Sequence, residues 1–398
     1  MPEILVVSGF WPTTSNPISG IFASQQVAAF CRAGCRVTVI TGRTIGKPGQ
    51  RYISPKELGL PVDKVTLLAM PHLRMPESLS ANWLAFAFNV RSIGLSISRA
   101  IASYLRRGGA PQGCIIHGLR YYAFSAPYWS RSLRVPRLAF VHGADPFLTR
   151  PSVTSVAKSY MRDAEGFIDR IVLVGRPLRR HAADLGIDEA KAVVIPNGTD
   201  LPDYSELSPK PLFADGVVRI ASVSNLIALK GIDDNIRALW LLKEQYGIYR
   251  WQYSIVGDGP EKERLTALVR SLGLCDRVQF LGRLPYRESM RVIAQADIFS
   301  LPSWGEAFGI VYLEAMARMK PTIGCFDNGA ADIITNGIDG LLVPPKDPTS
   351  LAIALKRLIE SRQLRKELGQ HARLTAERFS WDANARRILE FLGLPRKT

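Results

Sequence analysis

Short apolar runs rich in β-branched residues alternate along this chain with stretches whose apolar positions recur at helical spacing. In the first half the runs are Ile4–Val7, Val37–Thr41, Cys114–His117, Leu138–His142, Ile171–Val174 and Val193–Pro196. Between the first two, Ile21, Phe22, Val27, Phe30 and Cys31 share one helical face. Runs apolar on both faces, separated by amphipathic helices, predict a parallel sheet covered on both sides. Residues 201–216, LPDYSELSPKPLFADG, hold three prolines and no periodicity, which predicts an interdomain linker. The rhythm then restarts, with runs at Val218–Val223, Tyr253–Val256, Val278–Leu281, Ile298–Leu301, Thr322–Gly324 and Leu341–Val343. Helices are predicted between them, Lys262–Leu272 and Ala307–Arg318 among others, and at the end over Ser350–Ile359, Gln363–Phe379 and Asp382–Leu392. The expected fold is α/β, two Rossmann-like domains in tandem, each with a ligand crevice at its strand C-termini.

Composition agrees with two ordinary globular domains: 398 residues, 47% hydrophobic and 22% charged. The best apolar stretch, Trp83 to Phe88, is far short of the ~18 residues that cross a membrane. MPEILVVSGF has no basic leader region and carries Glu3 ahead of its apolar run, so it reads as a first strand rather than a signal peptide. The five cysteines (Cys31, Cys35, Cys114, Cys275, Cys325) are scattered without zinc spacing, which predicts buried thiols, no metal site and a reducing, cytoplasmic setting. Charge is uneven: residues 1–200 hold 24 basic and 12 acidic side chains, residues 201–398 hold 27 and 23. A basic first half suits an anionic partner, be it nucleic acid, an anionic membrane surface or a phosphorylated substrate; simple solubility is the alternative.

Candidate chemistry gathers in strand-to-helix loops. PSWGEAFGIVYLEAMA (302–317) predicts a loop entering a helix near Phe308, with backbone N–H groups suited to a phosphate. Glu306 sits in that loop and Glu314 about two turns into the helix, and both suit sugar or ribose hydroxyls because ionised carboxylates only accept. In SVSNLIALKGIDD (222–234), Lys230 stands where a point charge would meet a diphosphate. YSIVGDGP (253–260) lacks the full dinucleotide-binding spacing, although Gly257 and Gly259 permit close approach to a flat ligand. Gly20 precedes a first-domain helix, and His142 and His117 end strands that face a ligand or serve structure.

Together these motifs resemble the retaining family-4 glycosyltransferases of the GT-B fold, two Rossmann-like domains facing across a cleft. GEAFGIVYLEAMA is similar to that family's E-x7-E signature, with Glu306 and Glu314 in place. SVSNLIALKGID, VGDGP, LGRL, ADIFSLPS, VIPNGTD and the final SW-helix segment also match, in the family's order over essentially the whole chain. The resemblance implies that Glu314 holds the donor ribose, Glu306 the transferred sugar, and Lys230 the diphosphate, aided by backbone amides of Phe308, Gly309 and Ile310. It gives His142 a contact to the donor sugar and Gly20 a place beside the diphosphate. Gly257, Gly282, Arg283 and Leu284 would line the nucleobase. The family often has an arginine where this chain has Asn225, which supplies no charge.

The implied reaction moves a sugar, with retention and without metal or cofactor, from a nucleotide-diphosphate sugar (UDP- or GDP-linked) to a glycan or lipid-linked acceptor. Polysaccharide or envelope-glycan assembly at the inner membrane face is the implied setting. Residues 79–107, with Arg91, Arg99, Arg106 and Arg107 beside an apolar face, are a candidate contact with anionic lipid or else a core helix with a basic edge. The expected division is an acceptor-binding domain over 1–204, a linker over 205–216, a donor-binding domain over 217–380 and a last helix over 381–398 returning to the first. The alternatives are a non-catalytic nucleotide-sugar-binding protein and a sugar phosphorylase; no RNA-recognition or helix-turn-helix signature supports a nucleic-acid partner.

Overall fold

The computed structural model describes residues 1–45, 51–76, 83–145, 148, 151–203 and 216–394. The chain forms two compact units, Met1–Gly198 with Trp381–Thr398, and Thr199–Ser380. The first is built from β1 (Glu3–Ser8), α1 (Ile21–Arg32), β2 (Arg36–Thr44), β3 (Val65–His72), α2 (Trp83–Arg106), β4 (Gly113–His117), α3 (Ala126–Trp129), β5 (Arg137–Val141), α4 (Pro151–Glu165), β6 (Arg170–Leu173), α5 (Leu178–Asp184) and β7 (Ala192–Val194). All seven strands are parallel, in the order β3-β2-β1-β4-β5-β6-β7. Ile4 to Val7 and Cys114 to Ile116 have no exposed surface, as central strands covered on both faces require.

The second unit repeats the plan with β8 (Val218–Val223), α6 (Ile232–Tyr246), β9 (Trp251–Val256), α7 (Lys262–Ser271), β10 (Val278–Gly282), α8 (Tyr286–Gln295), β11 (Ile298–Ser300), α9 (Ile310–Met316), β12 (Thr322–Cys325), β13 (Gly340–Val343), α10 (Pro348–Glu360) and α11 (Arg362–Arg378). Its six parallel strands run β10-β9-β8-β11-β12-β13. The closing helix α12 (Trp381–Phe391) lies in the first unit. There Gln26 Nε2 donates to Asn384 Oδ1 at 2.9 Å, and Asn384 Nδ2 donates to the Pro196 carbonyl at 2.6 Å. Trp381 and Ile388 are buried, each worth roughly 1.5–3 kcal/mol.

The structure differs from the sequence reading at three places. Strand β3 adds to the strands read from the sequence: its run Leu67–Met70 is apolar, but Pro71 within it reads as a breaker, a residue tolerated here because β3 is the half-exposed sheet edge. The first unit ends at Gly198 rather than 204, because Thr199 N–H donates to the Phe379 carbonyl and Arg373 Nη1 reaches the Pro202 carbonyl, both 2.9 Å, inside the second unit. The expected linker lies outside the described residues except Gly216. Cys275 is exposed, while the other four cysteines are buried as expected.

Of the stretch 79–107, residues 79–82 lie outside the described residues. Helix α2 spends its main apolar stripe, Phe86, Val90, Ile93, Ile97 and Ile101, on the core. Trp83, Leu84, Phe88 and Leu95 remain exposed beside Arg91 and Arg99. Among the described residues, no helix is long and apolar enough to cross a membrane.

Candidate active site

In the second unit β8 and β11 are sheet neighbours, yet the chain leaves β8 toward one edge and β11 toward the other. The loops at their carboxyl ends therefore diverge and leave a crevice, the usual ligand seat of such a sheet. The β8 loop brings Lys230 and the β11 loop brings Glu306. Two bonds bind the loops together: Trp304 N–H and the Ser303 hydroxyl donate to the Leu229 carbonyl at 2.9 and 3.0 Å. Lys230 Nζ then meets Glu306 Oε2 at 2.6 Å, with side chains only 18% and 15% exposed. A buried polar cluster steadies the strands beneath. Asn235 Nδ2 donates to the Ser300 carbonyl at 3.0 Å, and the Ser300 hydroxyl donates back to Asn235 Oδ1 at 2.6 Å. The Ser222 hydroxyl lies 2.6 Å from that of Tyr253. This ties β8, β9, β11 and α6 together with buried polar groups satisfied.

Helix α9 begins at Ile310, later than the Phe308 start read from the sequence, and has seven residues. Gly309 caps it with φ 90°, which is why the preceding turn cannot be helical. Glu314 is therefore little more than one turn in, not two. Its side chain is buried, and that burial pushes its carboxyl up to about 7, against the pull of the Arg318 guanidinium and a Tyr286 hydrogen bond. Phe308 is buried against Phe379, so its side chain adds no open surface. A Cβ on Gly309 would lie 2.4 Å from the Tyr312 ring and 2.9 Å from Glu306 Cγ. Gly309→Ala is thus expected to lower stability by about 2–4 kcal/mol through strain and overlap. Urea unfolding checks it, and a change within ~0.5 kcal/mol would show the turn to be pliable.

The remaining expected donor residues divide. Gly257, at φ 141°, has a would-be Cβ 1.8 Å from the Ser224 carbonyl. The close approach it permits is therefore to the β8 loop's backbone, whose Ser224 N–H donates to the Val256 carbonyl at 3.0 Å, rather than on that face to a flat ligand. Gly282 ends β10 and accepts from Gly257 N–H at 2.8 Å. Arg283 and Asn225 are exposed, and Leu284 is half-buried.

In the first unit Gly20 precedes α1 and lies against the backbone of Phe10 and Trp11. His142 follows β5 by one residue and stands among Phe10, Phe22 and Phe140, with the Phe22 ring centroid 4.3 Å away. Its Nε2 lies 2.8 Å from Nδ1 of the fully buried His117. Burial holds His117 down at about 3 and His142 well below the usual histidine range, which favours the neutral form of both rings, and two neutral imidazoles at this distance pair with one ring donating to the other. The two weak histidine candidates thus form one unit, which the 25 residues between them conceal in the sequence.

His142 lines a cavity of about 530 Å³ whose walls also include His72, Arg74, Arg120, Tyr121 and Tyr122. These five were missed. The last three come just after His117-Gly118-Leu119 and sit on a π-helical turn, Leu119–Ala123, in which Ala123 and Phe124 N–H donate to Gly118 and Leu119 carbonyls, both at 3.1 Å. The signal available was three consecutive large polar side chains just past a central strand.

Comparison with known proteins decides the family. The glycosyl transferase 4-like domain matches residues 19–198, and glycosyl transferases group 1 matches residues 203–375. The chain belongs to the group 1 glycosyl transferases. An uncharacterized glycosyltransferase of Methanocaldococcus jannaschii is 25% identical over 79% of this chain and 80% of its own length. A D-inositol 3-phosphate glycosyltransferase of Kineococcus radiotolerans is 33% identical, but over only 56% of each chain. In structure, Anabaena HepE, solved with UDP and glucose, aligns with TM-score 0.72 at 19% identity over 99% of this chain and 100% of its own. That likeness establishes the GT-B fold of this glycosyltransferase. Its activity is glycosyl transfer, and Glu306 and Glu314 lie within the group 1 match.

Proposed function

We propose that this glycosyltransferase moves a sugar from a nucleotide-diphosphate sugar, UDP- or GDP-linked, to a glycan or lipid-linked acceptor with retention of configuration. The observation that carries the reading is the Lys230–Glu306 contact of 2.6 Å at the crossover of the second sheet, with Glu314 buried nearby. As the bond from C1 to the phosphate oxygen breaks, negative charge grows on the diphosphate, and a partly desolvated ammonium stabilises it strongly. Glu306 holds that ammonium in place; on donor binding Lys230 turns to the diphosphate and Glu306 accepts from the sugar's hydroxyls. The leaving phosphate oxygen takes the acceptor hydroxyl's proton on the same face as the new bond forms. No protein nucleophile, resident metal or cofactor is assigned to the step.

The first unit is proposed to hold the acceptor, in the cavity beside His142. Peripheral contact with anionic lipid would use the outer edge of α2, where Leu84, Phe88 and Leu95 flank Arg91 and Arg99. Polysaccharide or envelope-glycan assembly on the cytoplasmic side is the setting these features suit.

A thermal-shift panel of UDP-, GDP- and ADP-sugars tests the donor. One nucleotide class is expected to raise Tm by several degrees, because ligand at about 100 Kd adds about 2.7 kcal/mol. Folded protein that responds to none contradicts the proposal. A non-catalytic binder is favoured by Asn225, an exposed uncharged residue where the family often carries arginine; it would give the same shift with no release of nucleotide diphosphate.

A further inference from the structure

Trp304 stands two residues before Glu306 in the β11 loop, and its half-buried indole reaches across to the β8 loop and α6. Its Nε1–H donates to Oδ2 of Asp234 at 3.0 Å. Asp234 lies in the first turn of α6, four residues after Lys230, and is 7% exposed. Gly231, the residue after Lys230, lies against the same indole in the left-handed region, at φ 62°. A Cβ there would fall 2.2 Å from the Pro302 carbonyl oxygen and 3.0 Å from the indole Nε1. The chain leaving Lys230 therefore passes against Trp304 with no room for a side chain.

The indole is held a second way. The Lys346 ammonium, from the loop between β13 and α10, stands 4.3 Å from the ring centroid, within cation–π range. Lys346 has φ 59°, a backbone state that few non-glycine residues adopt and that clusters at functional sites. Burial and the neighbouring Asp233 push the Asp234 carboxyl up to about 6, while the indole N–H, Arg237 and Lys346 pull it down. Above that value the carboxylate accepts the indole N–H as a charge-assisted bond.

These contacts bracket Lys230. The bonds from Trp304 N–H and the Ser303 hydroxyl both end on one acceptor, the Leu229 carbonyl, so by themselves they make a pivot. The indole bond to Asp234 adds a second anchor on the other side of Lys230 in the chain. Two anchors fix an orientation that one cannot. We propose that Trp304 is a positioning residue of the donor site: its indole, held by Asp234 and Lys346, keeps the Lys230 loop where the ammonium meets a diphosphate. This rests on the glycosyl-transfer reading and gives Trp304 no contact with the donor.

Calorimetry on the full-length chain tests it by comparing UDP, GDP and ADP with their monophosphates. The ratio of the two affinities isolates the second phosphate from base and ribose. The parent is expected to prefer one diphosphate about tenfold or more, and Lys230→Ala to remove that preference. Trp304→Phe keeps an aromatic ring for Lys346 but deletes the indole N–H. It is expected to reduce the preference about fivefold, with monophosphate affinity held within about twofold. Asp234→Ala deletes the same bond from its other end and should match it. Asp234→Asn, whose amide oxygen still accepts, should keep most of the preference. On the Lys230→Ala background Trp304→Phe should cost nothing further, because the indole acts through that lysine.

A merely structural tryptophan would weaken diphosphate and monophosphate alike, on either background. That result, or full preference in both folded Trp304→Phe and folded Asp234→Ala, overturns the proposal. Either variant suffices if the other fails to fold. A parent that binds no nucleotide, or Lys230→Ala with its preference intact, counts against the glycosyl-transfer reading of this site instead.

Discussion

Lys230→Ala is expected to lower the rate of glycosyl transfer by about two to three orders of magnitude, the range seen when one preorganised charge-stabilising group is removed from a water-poor site. The structure makes the expectation specific. Lys230 is only 18% exposed, its ammonium is already oriented by Glu306 at 2.6 Å, and Asn225 offers no second charge from the same loop. Glu306→Gln separates the two roles. It frees Lys230, so affinity for the nucleoside diphosphate should hold or tighten while transfer falls about a hundredfold with the lost sugar contact. Lys230→Ala should weaken diphosphate affinity and transfer together. In the double variant the effects should not add, because each single change also removes the other residue's partner. Calorimetry with the diphosphate and steady-state transfer rates for all four proteins read the cycle. Transfer by folded Lys230→Ala within about threefold of the parent would show that the diphosphate charge is met elsewhere.

Glu314→Gln is expected to stabilise the fold at pH 8 while weakening donor binding. Burial raises the native carboxyl from 4.5 to about 7, so the native state holds the proton more tightly than the unfolded chain. The contribution of this group to stability is thus full below about 4.5 and is lost as pH climbs through 7, over a span worth roughly 3 kcal/mol. Glutamine cannot ionise, so the variant should gain on the parent at pH 8 by a few kcal/mol and by little at pH 5. Binding should move the other way. A carboxylate accepting from two ribose hydroxyls exceeds an amide by a charge-assisted bond, about tenfold to a hundredfold in affinity. Parent affinity for the nucleotide should also fall as pH drops below 7, a dependence the variant lacks. Unfolding at the two pH values and calorimetry across the range measure both. Equal pH dependence in parent and variant would mean that Glu314 is not the titrating group.

The legible part of the site lies where sequence neighbours are also spatial neighbours. The loop bearing Glu306 and the helix bearing Glu314 are one continuous segment, and Lys230 ends a loop that follows a strand readable from six residues. Even there the start of α9 was misplaced, because Phe308 is apolar and buried as a helix residue would be, while the left-handed Gly309 stops the helix before it. At Gly257 a glycine's need for space does not say what fills it, and a carbonyl of the β8 loop lies where its Cβ would be.

By itself the sequence determined the α/β class, the two-fold repetition of the sheet, the order of the motif loops and the family, because strands buried on both faces must be continuously apolar and loops at their ends are free to carry polar motifs. Tertiary structure alone decided the rest. It joined His117 to His142, added the half-exposed edge strand β3, and set Arg74 and Arg120 against one ring through a π-helical turn. None of these has a periodic signature, since each depends on which strands become neighbours, and that order is settled by the packing of the whole sheet rather than by any segment of it.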